Sequence, residues 1–306
     1  MRGDLNNMKP IKSVLLVGGT HGNELTGVHF VKQSKKQELG TNYNSFSLDY
    51  LIANELAIKA NQRYIDTDLN RCFKLTDLND STLTGKENKL ARSINEKIGP
   101  KGSSKTDFII DLHTSTSNMQ TNIVITRTDL FHLQLASYLK QILPDVTVTS
   151  EAELMDDHHF LESIAPNGVL IEIGPIPQGC IEYDCYEKTL RATRACLDFI
   201  ELFNGDSLPS FPDTLNTQSY HSKLYFPTDE NGDICASVHP SLIGKAYPKL
   251  KEGDPIFKRF DGTDILYEGE STFLAFINEA AYYDKKIAMC LCNPIIFSLS
   301  SANIEQ

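Results

Sequence analysis

The 306-residue sequence contains no apolar run approaching the roughly 20 residues that cross a bilayer, which excludes a transmembrane helix. Its opening residues lead only into the short apolar stretch Val14 to Val17. That stretch is too short for the apolar segment of a secretory leader and no small-residue cleavage site follows it, so the protein is expected to stay in the cytoplasm. The seven cysteines are odd in number and include no Cys-x-x-Cys pair, which excludes a complete disulfide framework and points to buried, reduced thiols. Basic residues are outnumbered: 29 Lys plus Arg stand against 40 Asp plus Glu, for a net charge of −11. No Lys/Arg stripe follows any expected helix, so a nucleic-acid partner is excluded. An anionic small molecule remains admissible where positive groups gather in one pocket.

Tryptophan is absent, but hydrophobic residues at 41% and charged residues at 23% are those of an ordinary globular chain, with length for one large domain or two modest ones. Residues 1–205 alternate apolar strand-like runs with amphipathic segments, the pattern of an α/β layer structure with a mixed sheet. Strands are expected at 13–18, 46–52, 107–112, 122–126, 146–149 and 169–173, and helices at 24–35, 86–98, 130–143 and 184–203. The run Asn-Gly-Asp-Ser-Leu-Pro-Ser-Phe-Pro-Asp-Thr at 204–214 marks a boundary, and beyond it turn signals separate short β-favouring pieces. The chain therefore divides into an α/β domain at 1–205 and a smaller β-rich domain at 206–306.

The most informative stretch is Gly18-Gly19-Thr20-His21-Gly22-Asn23-Glu24, a loop that leaves a buried strand and enters a helix. Its glycines permit a tight turn, with Gly22 letting His21 and Glu24 point at one centre. Imidazole and carboxylate are both zinc ligands, and a catalytic zinc takes three protein ligands with a fourth position open. His113, at the end of the strand Phe108-Ile109-Ile110-Asp111-Leu112-His113, supplies a third. In open α/β sheets functional residues gather at the carboxyl ends of strands, where both histidines fall. Asp111, on the same strand face as His113, is placed to accept a hydrogen bond from a ligand imidazole. Taken singly, each of these residues has an ordinary structural explanation; together they describe a metal site.

Hydrolysis at such a site also needs a group that takes a proton from water and delivers it to the leaving group. Glu172 lies inside the apolar strand Val169-Leu170-Ile171-Glu172-Ile173, where it is either functional or turned to solvent. Arg63 and the run Asp66-Thr67-Asp68-Leu69-Asn70-Arg71 hold two guanidinium groups and an amide, suited to clamping a carboxylate or polarising a carbonyl, or else to a solvated salt-bridge loop.

Five segments carry a resemblance: Gly-Gly-Thr-His-Gly-Asn-Glu-Leu-Thr-Gly at 18–27, Arg-Tyr-Ile-Asp-Thr-Asp-Leu-Asn-Arg at 63–71, Asp-Leu-His-Thr at 111–114, Ile-Glu-Ile-Gly-Pro at 171–175 and Asn-Glu-Ala-Ala-Tyr-Tyr at 278–283. In this order they resemble the zinc-carboxypeptidase-like family that includes aspartoacylase and succinylglutamate desuccinylase. The resemblance implies a zinc-carboxypeptidase-like α/β fold at 1–205, with the β-rich domain covering the active site. It implies one Zn²⁺ per chain on His21, Glu24 and His113, with Glu172 as general base and then acid. Arg63 would polarise the scissile carbonyl, Asn70 and Arg71 would bind a substrate carboxylate, and Tyr282 would reach in from the C-terminal domain. The implied reaction is hydrolysis of N-acetyl-aspartate to acetate and aspartate, by a dimer. A deacylase of aromatic or S-conjugated N-acetyl amino acids and a non-catalytic metal-binding protein are the alternatives. One departure stands out: Glu162 occupies the place of a second carboxylate-binding arginine, and His158 lies near that of a tyrosine.

Overall fold

The computed structural model describes residues 8–152 and 157–299. The outer ends of the two expected domains, 1–7 and 300–306, lie outside the described residues.

The strands of the first two thirds are β1 (Ser13–Gly18), β2 (Ser47–Ile52), β3 (Phe108–Thr114), β4 (Gln120–Ile125), β5 (Val146–Ser150) and β6 (Asn167–Gly174). The helices are α1 (Leu25–Lys36), α2 (Glu55–Ala60), α3 (Leu75–Asn79), α4 (Lys86–Ile98), α5 (Leu130–Ile142) and α6 (Tyr183–Asn204). Alternation along the strands sends side chains to opposite faces, and each face has its own core. Val14, Leu16, Phe108 and Ile110 join Phe30, Phe131 and Phe199 from α1, α5 and α6. Leu15, Val17 and Ile109 join Leu78, Ala91 and Ile94 from α3 and α4. Strands buried on both faces read as continuous apolar runs, which is why their positions are legible in the sequence.

The last third contributes β7 (Thr214–Tyr225), β8 (Ala236–Val238), β9 (Lys249–Leu250), β10 (Pro255–Arg259), β11 (Asp264–Leu266), β12 (Thr272–Ala275) and β13 (Ile287–Ser298). Contrary to the expectation of short pieces only, β7 and β13 are 12 residues each and pair antiparallel from end to end. They continue the main sheet, which has ten strands in the order β2-β1-β3-β6-β4-β5-β7-β13-β12-β9, mixed in direction. A separate antiparallel sheet, β11-β10-β8, packs Val238 and Phe257 against Phe226, Leu274 and Met289. The composition change after α6 falls in the stretch that leads into β7, the strand by which the last third of the chain joins the main sheet.

The segment 61–74 between α2 and α3 crosses the carboxyl ends of the strands with little regular structure, so its backbone groups need partners from side chains. Glu87, buried in the first turn of α4, supplies them. It accepts from the backbone N–H groups of Ile65, Asp66 and Thr67 at 2.7, 3.0 and 3.2 Å, and from Asn54 Nδ2 at 3.2 Å. Burial opposes its charge, but these four donors win and hold its carboxyl below the ordinary value of 4.5. A depressed carboxyl contributes stability that is fully present above 4.5 and is lost as pH falls through the lower folded value. Glu87→Gln is expected to cost about 2 kcal/mol at neutral pH, the scale of hydrogen bonds to a charged group. Urea unfolding of both proteins should show that gap closing in acid, and a gap independent of pH would refute the role given to the charge.

Candidate active site

β1 and β3 are parallel neighbours with Gly18 beside Leu112, so the residues that follow each strand emerge together. His21 comes from the first exit and His113 from the second, and Glu24 closes the loop just before α1. His21 Nδ1 lies 2.7 Å from Glu24 Oε1, His113 Nδ1 lies 3.0 Å from Glu24 Oε2, and the two Nδ1 atoms are 3.1 Å apart. All three residues are buried. Gly19 takes the positive φ that the turn requires, at 76°. Gly22 is needed for clearance rather than for bending freedom: a Cβ there would fall 2.1 Å from the carbonyl carbon of Ala57.

The outer nitrogens decide what the inner ones can do. His21 Nε2 faces Asp68 Oδ1 at 2.9 Å and His113 Nε2 faces Asp111 Oδ2 at 2.9 Å. A neutral ring that gives its Nε2 proton to the facing carboxylate presents a bare lone pair at Nδ1. In that tautomer two nitrogen acceptors and a carboxylate converge on one point, an arrangement suited to a cation. Ligand atoms about 2.0–2.1 Å from a tetrahedral zinc stand roughly 3.3 Å apart, close to the separations here. The donor set and its spacing thus fit the metal that the sequence implies, as a single site formed by His21, Glu24 and His113. Burial alone would raise the Glu24 and Asp68 carboxyls, but the neighbouring imidazoles, joined at Asp68 by Arg63, hold both well below the usual range.

Register places the next residue. His113 on β3, Glu172 on β6 and Asn122 on β4 are successive partners in one row across three strands, all on the same face. Glu172 therefore turns to the cleft, half-buried, and burial together with the Glu24 carboxylate raises its carboxyl well above the ordinary range. The cleft lining includes the eight residues expected to bind metal or substrate or to transfer the proton: His21, Glu24, Arg63, Asn70, Arg71, His113, Glu172 and Tyr282.

Arg63 donates to Glu24 Oε1 at 3.1 Å through Nη1, and to Asp68 Oδ2 at 3.2 and 3.1 Å through Nε and Nη2. Asn70 Oδ1 accepts from the Leu161 N–H at 2.8 Å, which turns its Nδ2 to His113 Nε2 at 3.5 Å. Arg71 donates to the Asn70 carbonyl at 2.8 Å and lies 5.3 Å from the centre of the Phe160 ring. Tyr282 arrives on a short helical turn, Ala280–Lys285, fixed by Glu279. Buried Glu279 accepts from Ser115 Oγ at 2.5 Å and from the Ser117 N–H at 3.0 Å, tying the C-terminal third to the loop after β3.

Glu162 is a correction. Its side chain is fully buried away from the cleft and accepts from Thr126 Oγ1 at 2.5 Å; burial raises its carboxyl to about 7. It touches no substrate, so its replacement of an arginine says nothing direct about a second carboxylate. His158 likewise lies outside the cleft lining, stacked on Phe160 with ring centres 5.8 Å apart. Among the residues of the site that the sequence did not single out are Asp68, Glu279, Phe160 and Glu151. Asp68 had a local signal, since it caps the turn Leu69–Arg71 by accepting from the Asn70 N–H at 2.9 Å. Glu279 lies inside the segment Asn-Glu-Ala-Ala-Tyr-Tyr, and the other two had no signal beyond strand alternation.

A mixed sheet that brings His113, Glu172 and Asn122 into one row beside His21 and Glu24 defines a cleft with a single candidate metal site. The chain belongs to the succinylglutamate desuccinylase/aspartoacylase family: the model of that family's catalytic domain matches residues 10–200, and that of the AstE/AspA barrel-sandwich hybrid domain matches 214–294. A probable aspartoacylase of Trichodesmium erythraeum is 41% identical, over 93% of this chain and 97% of that one. An N-acyl-aromatic-L-amino acid amidohydrolase (carboxylate-forming) of Xenopus laevis is 42% identical, over 91% of this chain and 93% of that one. The crystal structure of murine aminoacylase 3 superposes with a TM-score of 0.89 at 35% identity, covering 96% of this chain and 98% of that one. Among the described residues no helix is long and apolar enough to cross a membrane, and all seven cysteines are unpaired.

Partners that fix a ligand imidazole are worth roughly 10- to 100-fold in metal affinity. Asp68→Asn should weaken zinc binding by that factor in competition against a chromophoric chelator. An unchanged affinity would remove Asp68 from the orientation of His21.

Proposed function

We propose that the chain is a zinc-dependent amidohydrolase that cleaves N-acyl amino acids with apolar or aromatic side chains, using one zinc held by His21, Glu24 and His113. The observation that carries the reaction class is the row formed by the converging acceptors and Glu172 at the base of a cleft that also holds Arg63 and Arg71.

When bound, the metal supplies a Lewis acid that polarises a carbonyl and acidifies water. The protein's own groups do the rest. Glu172, its carboxyl raised by burial, takes a proton from the attacking water at its carboxylate oxygen and returns it to the amide nitrogen as the C–N bond breaks. The products are a carboxylate and a free amino acid. Arg63 is held rigidly by Glu24 and Asp68, so its donors face the developing oxyanion without having to reorganise. Asn70 Nδ2 and Arg71 hold the α-carboxylate, with Arg71 steadied by the Phe160 ring and the Asn70 carbonyl. Tyr282, anchored through Glu279, closes the cleft from the C-terminal third.

The choice of side chain follows from what surrounds the bound amino acid. Val124, Leu170 and Phe160 form an apolar floor, and Phe276 and Tyr282 form an aromatic wall. Arg63 is already committed to two carboxylates, which leaves Arg71 as the cation for one carboxylate of the substrate. The reading as an N-acetyl-aspartate hydrolase needs a second cation, and it is favoured by Lys223 and Lys285, which line the outer cleft.

Zinc-loaded protein is expected to turn over N-acetyl-tyrosine and N-acetyl-phenylalanine with higher kcat/KM than N-acetyl-aspartate. The reverse order would establish the second reading, and no turnover of any N-acyl amino acid would sink both. His113→Ala should lose stoichiometric zinc by metal analysis. Glu172→Gln should keep the zinc and lose roughly 10² to 10⁴ in rate, the range of a general acid–base; loss of zinc together with activity would make Glu172 a ligand instead.

A further inference from the structure

The inner chamber opens into a wider outer cleft of about 1220 Å³, and the two share Arg71, Glu151, Phe160, Phe276 and Tyr282. Glu151 follows directly on β5, with its N–H bonded to the Ile125 carbonyl at 2.9 Å. Along β5, Val146 and Val148 point into the core under α5 and α6, so Thr147, Thr149 and Glu151 turn to the other face, the one that carries Glu172. Thr149 Oγ1 donates to Asn122 Oδ1 at 2.9 Å and lies 3.4 and 3.3 Å from the hydroxyls of Tyr220 and Tyr247. The site face thus carries a hydrogen-bonded Thr149 and then ends on a carboxylate.

Among the described residues the Glu151 carboxylate accepts no hydrogen bond, and the cations that act on it are Arg71 and Lys223. Burial raises it to about 7 despite both. Lys223 is exposed, and Arg71 already donates to the Asn70 carbonyl and lies over Phe160. A substrate carboxylate on Arg71 brings the amino-acid half of the molecule to this side of the cleft, across the apolar floor from the triad. Its side chain then projects toward an acceptor that lacks a donor.

We infer that Glu151 determines side-chain selectivity: it rejects N-acyl amino acids with a carboxylate side chain and admits those whose side chain ends in an N–H or O–H donor on an apolar or amide body. The inference rests on the deacylase reading and refines its substrate class. A second carboxylate beside Glu151 meets like charge, whereas a donor pairs an acceptor that no other described residue satisfies. Selectivity of this kind comes from a repulsive group as much as from an attractive one.

Isosteric pairs isolate the charge. kcat/KM of zinc-loaded protein is to be measured for N-acetyl-asparagine against N-acetyl-aspartate and for N-acetyl-glutamine against N-acetyl-glutamate. Wild type should prefer the amide of each pair by on the order of tenfold or more. Glu151→Gln should bring both ratios toward one, chiefly by lowering KM for the acids. Glu151→Leu, which lacks the acceptor too, should raise KM for the amides as well. Ratios that are the same in wild type and variants would overturn the inference, and so would a wild-type preference for the acids. A uniform KM change across all four substrates would make Glu151 a positioner of Arg71 and would likewise overturn it. Absence of any turnover is a failure of the deacylase reading instead; the same ratios, read as Kd by calorimetry, then decide on Glu151 separately.

Discussion

Two imidazole nitrogens and a carboxylate facing one another across about 3 Å form a contact suited to a cation between them, and much of the structure serves to maintain it. The force that keeps it closed comes from outside the triad. Asp68 faces His21 Nε2 and Asp111 faces His113 Nε2, each at 2.9 Å, and these carboxylates orient both rings towards the shared point. Each carboxylate is in turn tied down: Asp111 by Thr20 Oγ1 at 2.7 Å, and Asp68 by Arg63 and the Asn70 N–H. Unpairing any of these buried groups leaves a charge without compensation, so the second ring of contacts is as constrained as the first.

That constraint explains why an irregular segment can carry polar residues of the cleft. Arg63, Asp68, Asn70 and Arg71 lie on 61–74, which has little regular secondary structure of its own. Its backbone hangs on Glu87 from below, its side chains on Glu24 and Asp68 from within, and Asn70 Oδ1 holds the Leu161 N–H across from it. The C-terminal third is secured by the same device, a buried carboxylate that receives several donors, in the form of Glu279 against Ser115 and Ser117. Two carboxylates thus replace the hydrogen-bond ladder that a helix or strand would have provided, and the site gains a rigid wall from chain that has none by itself.

The parts that were legible in the sequence are those where one residue type has one physical use. β1 and β3 are apolar on both faces, α4 repeats its apolar positions with helical spacing, and His21, Glu24 and His113 follow strands at the ends where parallel sheets expose their side chains. Glu172 inside an apolar strand and Arg63, Asn70 and Arg71 in a dense polar run were legible too, the resemblance added Tyr282, and all five line one cleft. What stayed hidden depends on pairing across long separations. No local pattern announces that β7 and β13 would join the main sheet, because their partners lie about 75 residues apart in sequence and alternation is broken at Cys290 to Pro294. Glu162 misled for a related reason: equivalence along an aligned stretch does not fix which way a side chain turns in a short helical turn, and this one turns inward to Thr126.

The difference between the hidden and the legible parts also separates chemistry from selectivity. The reacting groups occupy a row set by strand register, where a slip of one residue would turn Glu172 or His113 to the opposite face and abolish the site. Such positions tolerate no drift. The groups beside that row come instead from strand ends and turns: Glu151 just past β5, Phe160 before a short turn, and Phe276 at a positive φ of 49° after β12. A substitution at such a position leaves the pairing of His113 with Glu172 across β3 and β6 in place, because that pairing is held by the sheet and these residues lie at its loose ends.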